Sequence, residues 1–223
     1  MPLLTQPAGP GAFQTLAPLV LASASPRRRE LLASLGLGFS IDPGDAEEPR
    51  PEPGEAPTDY ALRAARAKAL PIAANHPQAA ILAADTIVVL DQDILGKPRD
   101  VADACAMLAR LSGRIHQVVT GCCLIRPQGG ERCFAVSSDV TMRRSHHAEL
   151  AAYAATGEPL DKAGAYAIQG LGGFLVRRVE GSYTNVVGLP LSRVLEVLLE
   201  WNIAAPRSAA PARAAGERSR RRS

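Results

Sequence analysis

The segment Ser23-Ala24-Ser25-Pro26-Arg27-Arg28-Arg29 puts three cations at the point where a helix should start. Ser25 is a good N-cap, and Pro26 suits the first helical position. The arginines are out of place there. The helix macrodipole already carries partial positive charge at that end, and each added cation costs about a few tenths of a kcal/mol. A bound phosphate removes the conflict, because free backbone N–H groups, serine hydroxyls and guanidinium forks all suit one. A solvated basic first turn is the alternative, and the segment alone leaves both open.

Asp85 lies inside the apolar run Ile81-Leu82-Ala83-Ala84-Asp85-Thr86-Ile87-Val88-Val89-Leu90. A carboxylate buried in such a run is costly unless it is paired or holds a metal. If Leu90 pairs with Ile94 across the intervening turn, Lys97 faces Ile87 and reaches Asp85 diagonally on the same face. An isolated ion pair accounts for that pattern as well as a catalytic site does. Lys68 interrupts an Ala-rich helical stretch and Glu48 lies in a Pro-rich loop; each alone reads as a surface residue. Further along, Asp161-Lys162-Ala163-Gly164-Ala165-Tyr166-Ala167-Ile168-Gln169-Gly170 joins glycines that permit close backbone approach to an amide that both donates and accepts. Gln169 can therefore read a base edge or bond its own backbone. Glu180-Gly181-Ser182-Tyr183, followed by Asn185 to Pro190, offers a carboxylate and hydroxyls to the same cleft or caps the last helix.

Positioning these groups requires strands at 18–22, 39–42, 81–90, 94–95 and 174–179, and a hairpin of 117–125 with 132–142. Helices are expected at 26–35, from Thr58 as cap to 74, and at 101–111, 147–156 and 191–201. Residues 43–57 form a long loop rich in Pro, Gly and Glu, of a kind that is often functional. Strands alternating with helices, plus one hairpin, indicate an α/β fold with a mixed central β-sheet flanked by helices. Residues 18–203 make up the domain. Residues 1–17, uncharged and broken by Pro and Gly, and the Arg/Ala-rich tail 204–223 are expected to be disordered.

Composition narrows the function classes. The chain is 47% hydrophobic and 21% charged, as globular proteins are, and its 223 residues suffice for a sizeable core. Of the formal net charge of +3, six Arg against one Glu in residues 204–223 supply five positive charges, which leaves the rest at −2. The folded part is therefore not a basic nucleic-acid-binding surface, although the tail could touch RNA weakly. No apolar run is long enough for a membrane span, and residues 1–17 lack the pattern of a signal peptide, so a cytoplasmic protein is expected. The cysteines at 105, 122, 123 and 133 form no C-x-x-C pair and have no histidine at ligand spacing, which suggests neither zinc nor a disulfide framework.

Taken in order, S-A-S-P-R-R, A-D-T, G-K-P, D-K-A-G-A-Y-A-I-Q-G and E-G-S-Y-x-N-V-V-G-L-P-L resemble the Maf family of house-cleaning nucleotide pyrophosphatases over about residues 19 to 200. The resemblance implies two lobes with a deep cleft, dependence on a divalent cation (Mg or Mn), release of pyrophosphate from a nucleoside triphosphate, and a homodimer. By motif, Asp85 matches the catalytic acid of A-D-T and Lys97 the lysine of G-K-P. Ser23, Ser25 and Arg28 match the phosphate-binding start. Glu48 and Lys68 resemble the family's loop carboxylate and helix lysine. Arg27, Thr86 and Gln169 match the positions that mark the subfamily acting on dTTP and UTP. The sister branch preferring methylated GTP has S-P-W-R at the first motif and lacks the glutamine.

On that resemblance, Asp85 and Glu48 hold the metal against the triphosphate, and Asp85 orients or deprotonates water. Arg28, Lys68 and Lys97 stabilise the growing charge. A binding protein that senses nucleotide or regulates division without turnover is the competing expectation. It would need the arginines and the glycine loop, but not a carboxylate beside two lysines.

Overall fold

The computed structural model describes residues 4–6, 9, 11–47, 49–127 and 129–208. In chain order the elements are β1 (Leu4–Gln6), β2 (Phe13–Thr15), β3 (Leu19–Ala22), α1 (Pro26–Ser34), β4 (Phe39–Ile41), α2 (Pro57–Asn75), β5 (Ala80–Leu90) and β6 (Asp93–Leu95). They continue with α3 (Val101–Leu111), β7 (Ile115–Ile125), β8 (Glu131–Met142), α4 (His147–Ala154), three short 3-10 turns between 158 and 175, β9 (Val176–Glu180), α5 (Tyr183–Val187), α6 (Leu191–Glu200) and β10 (Ala204–Pro206).

Eight strands form one mixed sheet in the order β1-β4-β3-β5-β7-β8-β9, with β6 attached to β5. The strands β4, β3 and β5 run parallel, and β7 to β9 continue the sheet antiparallel. This is the expected mixed sheet with helices against it. β5 lies at the centre and is buried at every residue but Thr86, which is why it reads as an unbroken apolar run. One sheet face packs under α1 and α6 through Leu32, Leu82, Leu124 and Leu198; the other carries α2 over Ala83, Cys123 and Ile81. A third cluster fills the space under α3 and α4.

Several local expectations shift. The turn after β5 takes only Asp91 and Gln92, both with positive φ (53° and 73°), the geometry of a two-residue hairpin. Leu90 therefore pairs with Asp93 and Val89 with Ile94, one residue away from the expected register. β6 ends at Leu95, so Gly96 and Lys97 have left the ladder. Helix α2 starts one residue before Thr58, with Ala56 at the cap and Pro57 in the first turn. α5, unforeseen in the sequence, is a five-residue helix capped by the Ser182 side chain.

Both chain ends carry structure where disorder was expected. β1 adds to the sheet edge at β4, and β2 pairs antiparallel with β10, Thr15 opposite Ala204. Arg207 fastens this clasp, donating from its side chain to the Phe13 carbonyl at 2.8 Å, the Gly9 carbonyl at 2.9 Å and the Gly36 carbonyl at 3.1 Å. The rest of the predicted tail, from 209 onward, lies outside the described residues.

Candidate active site

A gap in the strand pairing of β5 creates the site. β3 covers one edge of β5 only as far as Ala83, and β6 takes up the same edge from Val88. Between them residues 84–87 have no strand neighbour on that side among the described residues, while β7 pairs the other edge throughout. Asp85 and Thr86, adjacent and on opposite faces, both fall in this gap. Over it lies a cavity of about 890 Å³ at the carboxyl end of β3, where ligands of open α/β sheets habitually bind.

The α2 side of the gap is built by one glycine. Gly121 of β7 pairs with Asp85, and a Cβ at Gly121 would lie 2.2 Å from the Ala61 carbonyl oxygen. Helix α2 thus rests on bare backbone. Its buried stripe is Ala61, Ala64, Ala65, Ala69 and Ile72, and Lys68 occupies a position of the same helical face. The close approach brings the Lys68 ammonium into a direct ion pair with Asp85 Oδ1. Asp85 is only 4% exposed, and its other oxygen, Oδ2, is buried with no hydrogen-bond partner among the described residues.

Across the gap, α1 begins as expected: the Ser25 side chain accepts from the Arg28 amide at 3.4 Å, and Ser23 Oγ accepts from the Ser25 amide at 3.2 Å. Of the three arginines, Arg28 turns inward. It donates to the Gly188 carbonyl at 2.8 Å, to Ser23 Oγ at 3.2 Å and to Thr86 Oγ1 at 3.0 Å. Thr86 Oγ1 also meets Thr120 Oγ1 at 3.0 Å, and Thr120 donates to the Asn185 carbonyl at 3.1 Å. Asn185, fully buried, ties the chain together by donating to Val118 O and Ser138 Oγ. Thr86 is therefore part of the frame that holds Arg28.

Arg27 lines the cavity beside Asp161. Burial pushes the Asp161 carboxyl up, but the Lys162 ammonium and the Arg27 charge hold it below the usual carboxylate range. Lys97, exposed, borders the cavity after the end of β6, and no ladder places it diagonal to Asp85 as the expected register required. Gln169 is exposed at the cavity wall, and no hydrogen bond among the described residues ties its amide to its own backbone. The loop that bears Glu48 borders the cavity through Pro43, Gly44 and Ala46, but Glu48 itself lies outside the described residues. The remaining predicted residues, Ser23, Ser25, Arg27, Arg28, Lys68, Asp85, Thr86, Lys97 and Gln169, all line this one cavity.

Residues 18–201 match the family described as Maf-like protein. The chain belongs to the Maf family. A Myxococcus xanthus relative named dTTP/UTP pyrophosphatase is 55% identical over 187 residues, 84% of this chain and 93% of the relative. A Nitratidesulfovibrio vulgaris relative of the same name is 52% identical over 190 residues, 85% and 90% of the two chains. A solved HAM1 protein from Coxiella burnetii aligns with a TM-score of 0.46 at 17% identity, over 83% of this chain and all of that one.

Within this Maf chain, sequence reasoning passed over Gly121 and Thr120 and gave Asn185 no role of its own, although the three carry the site without entering it. A polar residue at a strand position inside an apolar run was the available signal for Thr120. It also passed over a group of potential metal ligands outside the cavity. The β7–β8 register sets Cys123 opposite Cys133, and with Glu131 their ligand atoms lie within 4.8 Å of one another. Spacing along the chain could not reveal it. Arg66 holds Glu131 there at 2.6 Å. No helix among the described residues is long and apolar enough to cross a membrane.

Proposed function

We propose that this chain is a metal-dependent nucleoside triphosphate pyrophosphatase that converts dTTP and UTP to the monophosphate and pyrophosphate. The observation that carries the reading is the gap in β5. It opens a buried, lysine-paired carboxylate on one side and an arginine-bearing helix N-terminus on the other, into one cavity large enough for a nucleotide. The names of relatives about half identical to it support the same activity and the same pyrimidine nucleotides.

The triphosphate lies along the start of α1. Arg28, preset by three hydrogen bonds, and the lysines Lys68 and Lys97 meet charge that grows on the phosphate oxygens as the bond between the α- and β-phosphates breaks. Asp85 orients or deprotonates the attacking water. Lys68 keeps Asp85 Oδ1 fixed, while Oδ2 is a buried acceptor without a protein donor among the described residues. That orphaned oxygen fits a hard divalent cation such as Mg or Mn, with Glu48 as the second carboxylate. When bound, such a cation neutralises the phosphates and lowers the pKa of a coordinated water by several units. Arg27, Thr86 and Gln169 select the base, and Thr86 also holds Arg28.

Pyrophosphate release from dTTP, UTP, CTP, GTP and 7-methyl-GTP, with and without Mg or Mn, tests the reading. Turnover of dTTP and UTP that ceases on chelation is expected. A preference for the guanine nucleotides would place the chain in the sister branch, and nucleotide binding without any release would make it a sensor.

A further inference from the structure

Glu158 precedes the Asp161-Lys162 pair, and its carboxylate accepts from two amides of one loop and from a hydroxyl on α4. Oε1 accepts from the Leu171 amide at 3.0 Å. Oε2 accepts from the Gly172 amide at 2.9 Å and from the Tyr153 hydroxyl at 2.7 Å. The Tyr153 oxygen in turn accepts from the Ala167 amide at 3.1 Å. The points held, Ala167 on one side and Leu171 with Gly172 on the other, bracket Ile168-Gln169-Gly170.

The bracketed turn is wrapped tightly on the carboxylate. Gly170 has φ 149°, and a Cβ there would lie 2.3 Å from Glu158 Oε1. A Cβ at Gly172 would lie 2.4 Å from the Tyr153 hydroxyl oxygen. Burial pushes the Glu158 carboxyl up, but the Tyr153 hydroxyl, the Gly172 and Leu171 amides and the Lys162 charge together hold it below the usual range. At neutral pH it is therefore an acceptor for every donor the loop presents. Charged acceptors of this kind give stronger and more directional bonds than neutral ones. Three residues strung between two fixed points have little freedom, so the backbone that carries Gln169 is held in place through Glu158.

We propose that Glu158 is a positioning residue for nucleobase selection: together with Tyr153 it clamps both ends of the Gln169 turn and fixes the amide that reads the pyrimidine edge. This rests on the nucleotide-hydrolase reading, and Glu158 itself need not touch the base. A glutamine at 158 keeps the size but turns NH2 donors toward N–H donors. Misplacing a group that reads hydrogen bonds costs discrimination more than it costs phosphate binding.

The experiment compares wild type with Glu158→Gln, Gly170→Ala and Tyr153→Phe, the last two reaching the clamp from its other members. For Glu158→Gln and Gly170→Ala the ratio of kcat/KM for dTTP over GTP should fall about tenfold, mainly through the KM for dTTP; Tyr153→Phe should follow by about threefold. Inhibition by pyrophosphate should stay within about twofold of wild type, since the start of α1 is untouched. Equal losses for dTTP, GTP and pyrophosphate, or an unchanged ratio in whichever variants fold, would overturn the proposal. Should wild type release no pyrophosphate from dTTP or UTP, the hydrolase reading fails separately. Calorimetric affinities for dTMP and GMP then decide the clamp without turnover: a dTMP preference that the variants lose upholds it, and no preference or an unaltered one sinks it.

Discussion

Lys68 and Asp85, on a helix and on the central strand, form an ion pair beneath α2 with the Asp85 side chain 6% exposed and the Lys68 side chain 20% exposed. The pair exists because α2 settles on Gly121, directly beside Asp85 in the sheet. Structure and chemistry thus share one contact, and the two can be separated by substitution.

Asp85→Asn preserves the shape of the carboxylate and removes its charge. Pyrophosphate release should fall by about a thousandfold, the scale of a lost acid–base group, while calorimetry with dTTP still detects binding. Rates close to wild type would dismiss Asp85 as the base.

Lys68→Met strands a buried carboxylate. Breaking a pair of this kind costs about 3 kcal/mol, most of it the burden of the uncompensated charge. Urea unfolding should show that loss, and adding Asp85→Asn to Lys68→Met should restore part of it. A double variant no more stable than Lys68→Met alone would mean that burial of the charge is not the cause.

Gly121→Ala forces a methyl group against the Ala61 carbonyl, 2.2 Å from where the Cβ would lie. Overpacking here should cost about 2–3 kcal/mol and lift α2, drawing Lys68 away from Asp85. Loss of turnover should accompany the fall in the unfolding midpoint; an unaltered midpoint would show that α2 yields freely.

His116 supplies a pH signature away from the catalytic groups. It is 2% exposed, bonded through Nε2 to the Tyr166 hydroxyl at 2.8 Å, and burial lowers its pKa from 6.5 to about 4. The unfolded chain therefore binds a proton that the folded chain refuses between those values. This contribution is complete above pH 6.5 and is lost as pH falls toward about 4, up to about 3 kcal/mol in all. Denaturant midpoints between pH 7 and 4.5 should slope less for His116→Gln than for wild type; identical slopes would remove His116 from the account.

What the sequence disclosed follows from how local each signal is. β5 and most of β7 are long apolar runs, β8 is a more polar stretch joined to β7 by turn residues, and all three stand where the pattern puts them. The register of Lys97 slipped because the turn consumes two residues, Asp91 and Gln92, and both must adopt positive φ. α5 has too few residues for a periodicity to show. Lys68 was legible as an oddity, a charge on an alanine stripe, but its partner became visible only once Gly121 let the helix down. Gly121 and Glu158 are ordinary residues in a linear reading, since what they do depends on neighbours distant along the chain or folded back on them.

The pairing of β2 with β10 sets an order of events during synthesis. Among the described residues these two strands form a ladder only with each other, and nearly the whole chain separates them. On a ribosome the first strand must wait, edge bare, until the last has emerged, so this seam is the final stitch and carries a loop-closure cost that the central sheet has already reduced. Because Arg207 reaches the Gly36 carbonyl just past the end of α1, a nascent chain cut short of it would lack one of the ties on the phosphate-facing helix, which Leu32 and the Phe13 amide would still hold.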